Sequence, residues 1–237
     1  MKLYAYCLCA DLETFDNELG GVSGATVQVL KVEDLSVLVS TVEVVPATQE
    51  NALAHAAVVR SVFAQTTLVP FRFGTLGTEQ QLRNYVTSHR VAFTNKLAQL
   101  RGCVEMDLKI VWRRSGAKAT PSNQPVIGPG TAFLRAKRRE LLGDEQTAAQ
   151  RAELSGLLRE ELGSLIKDEE MELQPSPTVV LAKVFHLVES SKLEQYREKI
   201  AGVVETRREM QVSMSGPWPP YSFANIELEF KSQFGVS

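Results

Sequence analysis

Cys7 and Cys9, the three histidines, and Arg72 are the side chains whose chemistry first invites a functional reading of this sequence. Only one residue separates the cysteines, so a strand carries both thiols on one face, one residue short of the Cys-x-x-Cys of redox and zinc sites. Core packing is their expected role. His55, His89 and His186 fall in separate segments with no second ligand at metal spacing, and each is read as structural. His55 lies beside the apolar face of a helix, where an imidazole can bond a strand carbonyl; a general base there needs a nucleophile that the sequence does not supply. Gly-x-Ser-x-Gly, P-loop and dinucleotide-binding glycine patterns are all missing. The basic cluster Arg135, Lys137, Arg138 and Arg139 runs at once into Glu140, Asp144 and Glu145, the pattern of a solvated helix face.

Two short motifs resist dismissal. In Pro70-Phe71-Arg72-Phe73-Gly74-Thr75 a strand would point Arg72 away from both phenylalanines, and Gly74 permits a turn that a side chain would obstruct. Such an arginine is expected to be paired, either with an acidic residue or with an anion or substrate; the acidic partner is the plainer reading. In Gly216-Pro217-Trp218-Pro219-Pro220-Tyr221-Ser222-Phe223 three prolines fix φ and push the residues before them toward extended geometry, so Trp218, Tyr221 and Phe223 ride a stiff path. Aromatics held in this way seal a core or grip a partner. For Trp218 and Phe223 the core is the plainer reading.

The elements that must position these groups follow from periodicity. Residues 2 to 10 are almost continuously apolar, with Tyr4, Tyr6 and Leu8 on one side and Ala5, Cys7 and Cys9 on the other, as in a central strand. Strand-like runs at 25 to 32 and 35 to 45 precede a helix over 49 to 65, striped by Ala52, Ala56, Val59 and Phe63. A short strand at 67 to 73 leads to a helix that Thr78 and Gln81 cap and Gly102 ends, with Leu82, Val86, His89, Phe93, Leu97 and Leu100 as its stripe. From 103 to 112 Val104, Met106, Leu108, Ile110 and Trp112 alternate with Glu105, Asp107 and Lys109, predicting an antiparallel sheet with one wet face. Residues 115 to 130 read as a flexible loop and 131 to 171 as helical. A break near Gly143-Asp144 is expected, because about 40 unbroken helical residues would reach about 60 Å. A strand at 178 to 188, a helix capped by Ser191 and Glu194, and short strands on either side of the Trp218 segment complete the chain.

This order predicts an α+β protein of two domains. Residues 1–102 form a modified ferredoxin-like domain, and 103–237 a second one with extra helices in 131–171 and the loop 115–130. Composition, 44% hydrophobic and 23% charged, supports real cores. A net charge of -2 offers no general attraction to nucleic acid or anionic membranes. No apolar run spans a bilayer, no export signal is read at the start, and three cysteines with no signal point to a reducing cytosol. Two alternatives stand beside a binding role: a small-molecule enzyme using His55 or Arg72, disfavoured for want of a catalytic constellation, and an RNA-binding ferredoxin-like module, disfavoured by Glu105 and Asp107 on the wet face.

Over nearly its whole length the chain resembles the family of gas vesicle proteins F and L. The likeness rests on Leu3-Tyr4-Ala5-Tyr6, Gly20-Gly21, His55, Val104-Glu105-Met106 before Trp112, Phe133-Leu134 where many relatives have Tyr-Leu, and above all on the two motifs at 70–75 and 216–223. The resemblance implies two α+β domains and a minor accessory protein of gas vesicles without catalysis, cofactor or metal. It implies binding to the small hydrophobic shell protein, kept from aggregating during nucleation, and to other accessory proteins. Nucleic acid and lipid membrane are not implied partners, and the implied location is the vesicle within the cytoplasm, on its gas-facing side. Arg72, Phe73, Gly74, Trp218, Tyr221 and Phe223 are the candidate partner-binding or structural residues, with the apolar face of the 145 to 171 helices as a further candidate surface. The F and L types are not separated by these motifs.

Overall fold

A computed structural model describes residues 1–10, 12–15, 20–113, 147–174 and 179–225. The proposed loop at 115–130, the first part of the helical segment, and the strand expected after the Trp218 segment lie outside the described residues. The chain packs into two compact units, Met1–Val104 together with Trp218–Ser237, and Glu105–Pro217. The segment from Trp218 thus belongs to the first unit, although a boundary at 102 assigns it to the second.

The first unit is built on a sheet ordered β2(Val27–Val32), β3(Leu35–Val42), β1(Lys2–Ala10) and β4(Leu68–Pro70), with the two-residue β5(Leu76–Gly77) also pairing β1. Every one of these pairings is antiparallel. Strand β1 is central and almost wholly buried. Its register against β3 shifts between Ala5 and Cys7, which leaves Tyr6 as an extra residue. A bulge of this kind re-aims the side chains beyond it. Tyr4, Tyr6, Cys7 and Cys9 accordingly all join one cluster with Val58, Val59 and Val62, correcting the strict alternation expected from the sequence.

Helix α1(Gln49–Phe63) begins at Thr48, whose hydroxyl accepts the Asn51 N–H. Its buried face is Asn51, His55, Val58, Val59 and Val62, rotated from the stripe of Ala52, Ala56 and Phe63 that apolar spacing suggests. The reason is that Asn51 bonds the Ser23 N–H and the Pro46 carbonyl, and His55 Nδ1 bonds the Tyr4 hydroxyl, so both occupy the core side. The expected single helix after Thr78 divides at His89 into α2(Glu79–Ser88) and α3(Arg90–Leu100). The Thr78–Gln81 capping box is present, and Leu82, Val86, Phe93, Leu97 and Leu100 are buried.

The second sheet is ordered β7(Ile166–Gln174), β8(Val179–Glu189), β6(Cys103–Arg113) and β9(Met210–Trp218). Residues 147–162 form helix α4, and α5(Leu193–Thr206) follows β8. Helix α4 does not reach 171: Gly163 has φ +52°, a short 3-10 turn follows, and 166–174 pair antiparallel with β8. Charged residues of good helix propensity concealed that strand, and pairing with β8 overrides propensity. Ser191 does not cap α5, whose N-cap is Lys192 after a 3-10 turn. On β6 the alternation holds on its apolar side, yet Glu105 is only 3% exposed, so the opposite face is not uniformly wet.

Candidate functional site

The core of the first unit carries an unusual number of polar aromatic groups. Tyr4 and Tyr6, both fully buried on β1, meet edge to face with centroids 4.9 Å apart, and His55 of α1 stacks on Tyr6 at 5.6 Å. The hydroxyl of Tyr6 accepts the Val22 N–H at 2.9 Å and shares a 2.8 Å hydrogen bond with Ser40 Oγ. Gly21 passes so close to this hydroxyl that a Cβ there would lie 2.2 Å from it. That close approach explains the second glycine of Gly20-Gly21.

Tyr4 performs the equivalent task toward the surface. Its oxygen accepts the Gly74 N–H at 3.2 Å and lies 2.9 Å from His55 Nδ1. The direction of the Tyr4–His55 bond follows the imidazole tautomer: with the ring proton on Nε2, the phenol donates to Nδ1 while accepting from Gly74. Nε2 makes no hydrogen bond among the described residues; the Phe71 carbonyl pulls weakly toward protonation without satisfying it. Burial holds His55 neutral, its pKa pushed down to about 4, and burial raises Tyr4 to about 12. A buried, neutral, hydrogen-bonded imidazole is a structural member of the core rather than a general base.

Above this base sits a turn that presents the Arg-Phe-Gly motif. Thr75 ties it, its N–H and hydroxyl both donating to the Arg72 carbonyl at 3.2 and 2.7 Å. Gly74 has φ +89°, the left-handed region open to glycine, with no atom near where a Cβ would lie. Phe73 packs edge to face on Tyr4 and on His55, with centroids at 6.1 and 5.9 Å, yet stays 38% exposed.

The proline-rich segment supplies the second half. Strand β9 continues through Gly216, Pro217 and Trp218, so three of the segment's eight residues are strand, whereas the expected strands only flanked it, and the Gly216–Pro217 bond is cis. Beyond it Pro219, Pro220, Phe223 and Ala224 are buried, whereas Tyr221 is 38% exposed at a turn whose Ala224 N–H donates to the Tyr221 carbonyl. Four buried neighbours thus hold one tyrosine out toward solvent. The Tyr221 hydroxyl is close enough to that of Tyr4 to raise its pKa, and Asn225 Oδ1 accepts a 3.4 Å hydrogen bond from Arg72 Nη2. The two sequence motifs, 141 residues apart at their nearest ends, therefore meet in one patch: Arg72, Phe73 and Gly74, over Tyr4 and His55, with Tyr221 beside Tyr4.

The remaining candidates lie elsewhere. Phe223 is core, at 4% exposure, and Trp218 is half-buried. No acidic side chain among the described residues pairs with Arg72; its partner is the neutral Asn225. The face of α4 offered by Leu154, Leu158 and Leu162 is buried, at 2% exposure or less, so it is packing surface rather than a free one. Sequence reading missed a second polar chain in the other unit: Ser155 Oγ to Glu169 Oε1 at 2.5 Å, Glu169 Oε2 to His186 Nε2 at 3.1 Å, and His186 Nδ1 to Tyr196 Oη at 2.7 Å. It links α4, β7, β8 and α5. The serine bonds the carboxylate and not the imidazole, and His186 is fully buried, so the chain lacks the nucleophile–base contact of acyl transfer. Among the described residues no group of His, Cys, Asp and Glu is placed to hold a metal ion, and no helix is long and apolar enough to cross a membrane.

Comparison with known proteins sets this architecture in a family. Residues 2–225 match the family described as "Gas vesicle synthesis protein GvpL/GvpF". The chain is 28% identical over 193 residues to gas vesicle protein L of Streptomyces sp. (strain CB03234), covering 76% of this chain and 71% of that one. It is 26% identical over 241 residues to gas vesicle protein F1 of Halobacterium salinarum, covering 99% and 98%. Its fold is similar to the crystal structures of GvpF from Microcystis aeruginosa, with TM-score 0.70 at 15% identity over 95% of this chain and 99% of that one, and from Anabaena sp. PCC7120, with TM-score 0.69 at 16% identity over 96% and 97%.

Proposed function

Because this chain belongs to the GvpL/GvpF family of gas vesicle synthesis proteins, we propose that its gas vesicle accessory role is to hold the small hydrophobic shell protein, without catalysis, and keep it from aggregating while a vesicle nucleates. The observation that carries this reading is the pair of exposed rings, Phe73 and Tyr221, each 38% exposed over a fully packed base. A holding surface must expose apolar area without collapsing on itself. Rings whose backbones are fixed by Gly74, Thr75, Pro219 and Pro220 do so with little entropy left to lose on binding. Exposed aromatic area of this kind marks interaction sites more often than bare surface.

On this reading the partner set is the shell protein and other gas vesicle proteins, and the protein stays with the vesicle, on its gas-facing side. The small-molecule enzyme alternative has less support: the one imidazole beside the patch is buried, neutral and engaged by Tyr4. Co-expression tests the proposal. With this chain present the major shell protein should move into the soluble fraction and co-purify with it; a shell protein equally insoluble with and without the chain overturns the holding role.

A further inference from the structure

Resting on the reading of the aromatic patch as a partner surface, we propose that Arg72 selects the partner, by taking a carboxylate from a segment that at the same time lays apolar side chains on Phe73 and Tyr221. Three observations converge on it. The Arg72 side chain is exposed, and its one hydrogen bond among the described residues is the 3.4 Å contact to the neutral Asn225 Oδ1. A guanidinium has five donors in a planar fork that matches a carboxylate, so the described residues take up little of its charge-assisted bonding capacity.

The backbone that carries it is fixed. The Arg72 carbonyl is held by both Thr75 donors, Gly74 N–H is held by Tyr4, and Phe71 N–H donates to the Tyr6 carbonyl at 2.9 Å. The fork is thereby presented from a set position beside two rings, and Gly74 adds no side chain to obstruct approach. Arginine beside exposed aromatics is the composition of interface centres, where a carboxylate and an apolar side chain are read together.

The charge balance of the protein sets the range over which Arg72 acts. With a net charge of -2 the chain does not draw an acidic partner from a distance, so Arg72 acts at contact range, as a discriminator rather than as a steering charge. One arginine also falls short of the basic stripe that nucleic acid requires, which favours an acidic, apolar peptide segment over a phosphate backbone.

The test uses the full-length chain labelled with ¹⁵N and two blocked peptides, acetyl-Leu-Phe-Glu-Leu-Phe-amide and the same peptide with Gln in place of Glu, followed by amide chemical shifts. The glutamate peptide should shift residues 72–75 and 221–225 and bind about tenfold more tightly than the glutamine peptide. Arg72→Gln should bind both peptides alike, and Arg72→Lys should recover only part of the preference, since a point charge replaces a fork. Equal binding of the two peptides by the unaltered chain, with both lost in Phe73→Ser, overturns the role of Arg72 and leaves the aromatic surface standing. Failure of either peptide to shift the patch at millimolar concentration overturns both. Shifts of the patch by a single-stranded oligothymidylate in place of the glutamate peptide overturn the choice of a peptide.

Discussion

The hydroxyl of Tyr4 and Nδ1 of His55 lie 2.9 Å apart in the core of the first unit, joining its central strand to its first helix, and the same hydroxyl accepts the Gly74 N–H of the exposed turn. One buried oxygen thus ties helix, sheet and candidate surface together. Its environment decides how the patch responds to mutation and to acid.

Tyr4→Phe removes that oxygen, which strands the buried His55 Nδ1 and releases the Gly74 N–H of the exposed turn. Loss of a partner by buried polar groups costs about 1–3 kcal/mol. Urea denaturation should show a fall of that size, which corresponds to about 2–12 °C in Tm for a chain of this length. A stability within 0.3 kcal/mol of the original, roughly the noise of such additivity comparisons, contradicts the assigned bond.

Acid should act through His55. Its folded pKa of about 4 lies below the ordinary 6.5, so the unfolded chain binds the proton first, and stability falls as pH drops from about 6.5 toward 4. The full shift corresponds to at most about 3 kcal/mol. His55→Phe should flatten the stability profile between pH 6.5 and 4.5. Below that window Glu169 adds its own loss: burial, the largest single influence, pulls its folded pKa up, but the hydrogen bonds from His186 and Ser155 together outweigh it and leave the pKa depressed. An unchanged slope in His55→Phe rules out a depressed His55.

Gly21→Ala should be more harmful than its position in a loop suggests. The added methyl would meet the Tyr6 hydroxyl at 2.2 Å and the Ala25 carbonyl and Ser40 Oγ at 2.8 Å. Overpacking of this kind costs about 1–3 kcal/mol. Thermal denaturation reads it, and a Tm unchanged by the substitution contradicts the packing described.

In the other unit Glu169→Ala should exceed Ser155→Ala in cost. The first strands two groups, the buried His186 Nε2 and the Ser155 hydroxyl, at about 1–3 kcal/mol each; the second removes one hydrogen bond, worth about 1 kcal/mol. Equal effects of the two variants in urea contradict the chain from Ser155 to Tyr196.

Much of this architecture was legible in residue patterns. The capping box Thr78–Gln81 and the stripe from Leu82 to Leu100 have strong local signals, because burial there follows helical spacing directly. Three features were hidden for physical reasons. The Tyr6 bulge has no marker residue, so alternation misassigns Cys7 and Cys9 to the face opposite Tyr4 and Tyr6. Strand β7 is written in Lys, Asp and Glu, and only its pairing with β8 makes it a strand. His55 was legible as a structural group beside the apolar face of α1, but its hydrogen-bond partner is the Tyr4 hydroxyl, and Asn51, outside the apolar stripe, is buried because its side chain accepts the Ser23 N–H. Among the candidate residues, the likeness of Arg72, Phe73 and Gly74 to a turn was readable from Gly74. Their meeting with Tyr221 was not, since separation in sequence carries no distance. The acidic partner expected for Arg72 is Asn225 instead, a neutral group that charge pairing could not suggest.

The central claim is that Phe73 and Tyr221 form the holding surface, and a surface can be removed without removing the fold. The double variant Phe73→Ser/Tyr221→Ser should melt within a few degrees of the unaltered chain, since both side chains are partly exposed. Light scattering of the diluted major shell protein should then rise as fast with the double variant as with no chaperoning chain at all, while the unaltered chain suppresses it. A folded double variant that suppresses scattering as well as the unaltered chain contradicts the account.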